Sequence, residues 1–367
     1  MDSALDAAML KPTKAAGLEQ QQHHQQQAHG HGHANRNCLV PQEIYDHIAE
    51  GGEAKPRNSL LKEMVLGFLA GTFIGFGFST CMIAAGQLSP EYRKAEPGMF
   101  NLLFGAYGFP VGLTMCVING ASLFTSNIAY MAAAFIQRKS SAGQALWIIW
   151  LSYFTNLAGC LFLVQLMVSG EVFHHRETFT IELALKKTSY SFGATLTKGI
   201  LCNWMVCMAV WQGNAAQDIT GKLLGVWFPI SAFVTMGFEH CIANMFVIPL
   251  AMKLGAPISV GTFIVKNLIP STIGNLIGGG IFVAMAFGLA FGSWEKAICA
   301  ATSSAAERVA PGLAAKLHLG SAGAASAVPA AGQAAVELSN GSGSSSGAVA
   351  RIVDGGLLPK SHAALAV

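Results

Sequence analysis

Hydrophobic and polar positions divide this chain into long windows. Five stretches, 64–90, 97–137, 140–170, 199–217 and 267–294, contain no Asp, Glu, Lys or Arg, and a sixth, 223–252, contains only Glu239. A helix rises about 1.5 Å per residue and a bilayer core is about 30 Å thick, so each window is long enough, or nearly so, for at least one crossing. The pattern predicts an all-α membrane protein with six transmembrane helices in a domain spanning 58–298. The flanks lack any such pattern. Residues 1–57 are polar, with a Gln/His tract from Gln20 to His33, and 299–367 are rich in Ala, Gly and Ser. Both read as disordered tails. Within the first, Pro41-Gln42-Glu43-Ile44-Tyr45 predicts the start of a short amphipathic helix leading to the membrane.

Two windows are too long and too interrupted for one straight helix. The window 97–137 holds Pro110 and a polar, glycine-rich interior (Gly105, Gly108, Gly112, Asn119, Gly120, Ser122). The window 223–252 holds Pro229 and then Gly237-Phe238-Glu239-His240 near its middle. The second and fifth segments are therefore expected to be broken helices. The two halves also resemble each other. Phe109-Pro110 matches Phe228-Pro229, Gly120 and Asn127 match Gly237 and Asn244, and Asn156 with Gly159 matches Asn275 with Gly278. The match between first and fourth segments is weak. Three segments per half forces the halves to enter the membrane in opposite senses, giving an inverted 3+3 repeat whose broken helices meet at the midplane.

Charge and composition narrow the function. Charged residues are 11% of the chain, far below the about 25% of soluble domains. A net charge of +3 gives no argument for nucleic acid. The eight cysteines show no C-x-x-C spacing, so neither a disulfide framework nor a zinc site is expected. His23, His24, His29, His31 and His33 read as a low-complexity tract rather than a metal site, and no cofactor is called for. Basic residues divide almost evenly between the two sides, with a slight excess on the side of both termini, which favours termini inside. The acids of the first tail do not suit a chloroplast transit peptide. A plasma membrane is the favoured location, with a chloroplast envelope as the alternative.

Four motifs carry a resemblance. Gly120-Ala121-Ser122-Leu123-Phe124-Thr125-Ser126-Asn127, Gly199-Ile200-Leu201-Cys202-Asn203-Trp204, Gly237-Phe238-Glu239-His240-Cys241-Ile242-Ala243-Asn244-Met245 and Asn267-Leu268-Ile269-Pro270 before Gly274-Asn275 stand in order over residues 58–295. In these the chain resembles the formate/nitrite transporter family, and within it an algal branch of nitrite and bicarbonate carriers. The resemblance implies an aquaporin-like protomer, a homopentamer with one pore per subunit, and no enzymatic activity. It implies one apolar constriction of Phe109 with Phe233 and another of Leu113 with Leu123 and Phe124. Between them it places His240, with Thr125 and Asn275 in hydrogen-bonding reach. Lys187 matches a basic vestibule position, where a fixed cation would lower the barrier for an arriving anion. One departure stands out: the family usually has Asp or Glu where this chain has Ser122, so an acid is expected to be missing beside the pore.

The chemistry follows from the cost of charge. An isolated ion in a low-dielectric constriction costs on the order of tens of kcal/mol by idealised estimates, whereas its neutral acid does not. A histidine at the narrowest point can protonate a weak-acid anion or hydrogen-bond it, since its ordinary pKa is about 6.5. The expected function is transport of small monovalent weak-acid anions, nitrite or formate, coupled to protons through His240, with bicarbonate as the alternative substrate. Glu239 sits about 100° from His240 if both are helical. It is expected to bond backbone N–H groups of the break, with Asn244 and Asn203 as further structural polar residues near the pore. Two rivals fail on sequence. A water or neutral-solute channel carries paired Asn-Pro-Ala boxes, but the equivalents are Ser126-Asn127-Ile128 and Ala243-Asn244-Met245. An intramembrane metalloprotease needs H-E-x-x-H, and Glu239 precedes His240 here.

Overall fold

The computed structural model describes residues 36–292 and residue 294; the tail readings for 1–35 and for the chain beyond 294 lie outside the described residues. An amphipathic helix, α1 (Pro41–Ala54), comes first. Its start is set by Pro41 at the first helical position and by Glu43, whose Oε2 accepts from the Val40 N–H at 3.0 Å. Ile44, Tyr45, Ile48 and Ala49 are buried against Ala133, Trp211 and Ala215. The folded body thus begins well before residue 58. The sequence reading of 1–57 as one tail missed how much apolar surface this helix buries.

The first span, α2 (Leu60–Ala84), is continuous. The second is broken as expected: α3 (Pro97–Ala106) and α4 (Phe109–Ile118) lead to a non-helical turn, after which α5 (Phe124–Ile136) starts. The third span is α6 (Ala142–Ser169). A helix outside the spans, α7 (Glu177–Ser189), precedes the fourth, α8 (Phe192–Ala215). The fifth consists of α9 (Ile219–Thr235), a second turn, and α10 (Cys241–Lys253). The sixth, α11 (Val260–Phe291), includes π-helical turns over Phe263–Leu268 and Gly278–Met285. Among the described residues, five helices are long and apolar enough to cross a membrane, and the broken fifth segment completes six.

Some spans begin earlier than their charge-free windows. α2 takes in Lys62 and Glu63, α8 takes in Lys198, and α11 takes in Lys266. Lys198 extends its ammonium over the Tyr190 ring at 3.8 Å, which carries the charge toward the helix end.

The repeat is stronger in space than in sequence. Gly120 and Gly237 turn the two breaks at φ +67° and +70°, a conformation that favours glycine. Each is followed by an extended residue, Leu123 or His240, and then by a helix of 13 residues. The flanking helices pack through small residues. A Cβ on Gly71 of α2 would lie 2.1 Å from the Asn156 carbonyl oxygen of α6, and one on Gly278 of α11 would lie 2.2 Å from that of Ile200 in α8. Such close backbone approach is how helices associate where lipid removes the hydrophobic drive.

Candidate functional site

Each break is held from the third helix of its own half by one asparagine. Asn156 Oδ1 accepts from the Phe124 N–H at 2.8 Å, while its Nδ2 donates to the carbonyls of Gly67 at 2.8 Å and Ser122 at 2.9 Å. Asn275 repeats this: Oδ1 accepts from the Cys241 N–H at 2.9 Å, and Nδ2 donates to Gly199 at 2.8 Å and Glu239 at 3.0 Å. A helix start leaves backbone N–H groups unpaired, and both amides satisfy one while tying down the turn before it. Every polar group of the Asn275 side chain is thereby used. The expected reach of Asn275 to His240 gives way to a structural role. Asn156 entered the sequence reading only as a repeat marker; its position relative to Asn275 was the available signal.

His240 caps α10, with Nδ1 accepting from the Ala243 N–H at 3.0 Å. Because Nδ1 accepts, the ring hydrogen belongs on Nε2, which lies 3.0 Å from Thr125 Oγ1 in the first turn of α5. One contact therefore joins the N-terminal ends of two half-helices, whose dipoles place partial positive charge there without a fixed ion. Asn203 of α8 braces the same point, donating to the carbonyls of Thr125 at 3.2 Å and Asn275 at 2.8 Å.

Aromatic rings close over His240. The Phe109 and Phe233 centroids are 5.4 Å apart and lie 5.6 Å and 6.2 Å from the imidazole. Both are buried, as are Leu113, Leu123 and Phe124. The Phe124 ring packs against Tyr153 at 4.9 Å and Trp150 at 6.2 Å on α6.

Glu239 is 1% exposed and bonds side chains rather than backbone. Its Oε1 accepts from Lys187 Nζ at 3.0 Å; Oε2 accepts from Asn244 at 2.8 Å and Asn267 at 3.0 Å. Glu239 and His240 both precede the first residue of α10, so the 100° argument does not apply; their different partners set them apart. Lys187 is consequently a paired, nearly buried cation. With Asn101, Lys186 and Tyr190 it lines a cavity of about 200 Å³. On the opposite side a smaller cavity of about 80 Å³ is lined by Lys55, Ser126 and Tyr130, and the Lys55 ammonium rests 5.4 Å from the Tyr130 ring. Burial holds the Lys55 pKa below the ordinary lysine value, and the charge of Glu63 partly opposes this. The sequence counted Lys55 only toward topology. A larger apolar cavity of about 580 Å³ among α6, α10 and α11 lies away from this chemistry.

The missing acid at 122 is also replaced. Ser122 Oγ donates to Glu63 Oε2 at 2.8 Å, so a buried carboxylate reaches the first break from α2. Among the described residues, no cluster of three or more His, Cys, Asp or Glu suits a metal.

A family model described as formate/nitrite transporter matches residues 42–289. The chain belongs to the formate/nitrite transporter family. It is 42% identical over 259 residues to the uncharacterized transporter YrhG of Bacillus subtilis, covering 68% of this chain and 93% of YrhG. It is 38% identical over 251 residues to a probable formate transporter of Methanothermobacter thermautotrophicus, covering 63% and 89%. A solved pentameric formate channel with formate bound superposes with a TM-score of 0.55 at 31% identity, covering 63% of this chain and 97% of that one. Membership in the formate/nitrite transporter family makes the chain an integral, multi-pass membrane protein for anion transport rather than an enzyme.

Proposed function

We propose that this chain passes small monovalent weak-acid anions, formate and nitrite first, together with a proton, as a homopentamer in the plasma membrane. The contact that carries this reading is the buried pair His240 Nε2–Thr125 Oγ1, set at two helix N-termini beneath Phe109 and Phe233. Lys187 and Lys55 attract the anion toward the two mouths. The apolar constrictions, Phe109 with Phe233 and Leu113 with Leu123 and Phe124, favour the neutral acid over the ion. Between them the imidazole N–H and the threonine hydroxyl give the crossing species hydrogen bonds that water no longer supplies. The pentameric assembly and the formate of the solved relative support this reading. Bicarbonate is the second reading, since it too is a monovalent weak-acid anion.

The test is uptake into liposomes containing the purified chain, comparing formate, nitrite and bicarbonate with pH measured inside. Formate and nitrite uptake with internal acidification is expected. Uptake of bicarbonate alone, or anion uptake without proton movement, would overturn the corresponding part.

A further inference from the structure

The two turns are tied to the first helix of their own half by the same backbone contacts, which sets a correspondence between α2 and α8. Ser122 donates its backbone N–H to Leu66 in α2 at 3.1 Å, and Glu239 donates its own to Lys198 in α8 at 3.3 Å. Asn156 and Asn275 add the equivalent bonds to Gly67 and Gly199. These pairings fix the register of α2 on α8. One turn before them, Glu63 stands where α8 has Thr195.

The side chains at the two places are exchanged. In the second half the turn supplies the carboxylate, Glu239, and the helix carries a hydroxyl residue, Thr195, whose Oγ1 has no hydrogen-bond partner. In the first half the turn supplies the hydroxyl, Ser122, and the helix supplies the carboxylate, Glu63. Both carboxylates are buried, and both collect the asparagine five residues beyond the turn. Asn244 Nδ2 donates directly to Glu239 at 2.8 Å. Asn127 Nδ2 donates to Ser122 Oγ at 2.9 Å, and that hydroxyl donates onward to Glu63 at 2.8 Å. Each carboxylate also receives a second amide, from Asn267 in one half and from Asn58 at 2.6 Å in the other.

We infer that Glu63 is the positioning residue of the first break, performing from α2 the task that Glu239 performs within the second. The chain Asn127–Ser122–Glu63 fixes the turn immediately before Leu123 and Thr125. Glu63 therefore acts on the passing species through those residues and does not touch it. This rests on the transport reading above.

The test uses the full chain in liposomes, with formate as probe and the assembled pentamer checked by light scattering. Glu63→Thr should lower the maximal uptake rate by about tenfold or more, the order expected for removing a hydrogen bond to a charged group, with the half-saturating concentration little changed. The exchange variant Glu63→Thr with Ser122→Glu puts the carboxylate on the turn within reach of Asn127, as Glu239 is of Asn244, and should recover most of the rate. Ser122→Glu alone puts two carboxylates side by side and should also impair. Wild-type uptake by Glu63→Thr, or an exchange variant no better than the single one, would overturn the inference. If Glu63→Thr fails to assemble, an exchange variant that assembles and transports supports it, and one that also fails overturns it. Absence of uptake by the wild type would strike the transport reading instead. The thermal midpoints of the pentamers then decide, with the same order of variants expected.

Discussion

Replacing Lys187 by methionine tests whether its charge serves the fold as well as the anion. Glu239 is 1% exposed and the Lys187 side chain 10% exposed, so solvent screens their 3.0 Å contact little. Removing one partner of a buried ion pair leaves the other uncompensated and costs about 3–5 kcal/mol. Asn244 and Asn267 still donate to the orphaned carboxylate, which argues for the lower figure. At roughly 2–4 °C per kcal/mol for a body of this size, Lys187→Met should lower the thermal midpoint by about 6 °C or more. Glu239→Gln in the same chain removes the stranded charge and keeps an oxygen for both amides. The double variant should recover most of the stability, with a coupling of about 2 kcal/mol or more across the cycle. Its affinity for formate at that mouth should stay weakened, because the attracting cation is still absent. The assays are thermal unfolding of the detergent-solubilised pentamer and uptake against formate concentration. Additive losses, or a Lys187→Met protein as stable as wild type, would refute the buried-pair argument.

Three further outcomes are expected. Asn156→Leu and Asn275→Leu each strand a backbone N–H and the carbonyl of the turn before it, so at about 1–3 kcal/mol per buried unpaired group both should lose stability and uptake together; loss in one alone would deny the equivalence of the halves. Burial disfavours the charged form of Lys55, so formate affinity from its side should fall as pH rises, starting below the ordinary lysine pKa of about 10.4. Glu63 favours that charge, so in Glu63→Gln the fall should start at lower pH, and an unchanged or higher onset in affinity titrations would contradict this. Deleting residues through Ala54 removes the buried Ile44, Tyr45 and Ile48, and should lower the thermal midpoint at fixed pH by several degrees; an unchanged midpoint would show that α1 adds nothing to the body.

The broken segments were legible because Pro110, Gly120, Pro229 and Gly237 interrupt apolar runs at matching places. His240 and Thr125 were legible through the motifs that contain them. Glu63 was not. A span read as a charge-free window begins at 64, and so excludes the one acid that packs inside the fold from α2. The weak sequence match between α2 and α8 also hid the register that sets Glu63 against Thr195. The contacts of Asn275 and Glu239 were misjudged because both answers depend on the path of the turn, and a helical angle says nothing where the residues are not helical.

The central claim is that the anion passes the contact between His240 and Thr125. Formate uptake by His240→Phe in liposomes, with the pentamer verified, tests it most directly. The substitution fills the site with an apolar ring and removes the N–H facing Thr125. Uptake should fall to the level of empty liposomes while assembly is retained. Wild-type formate flux through the assembled variant would contradict the account.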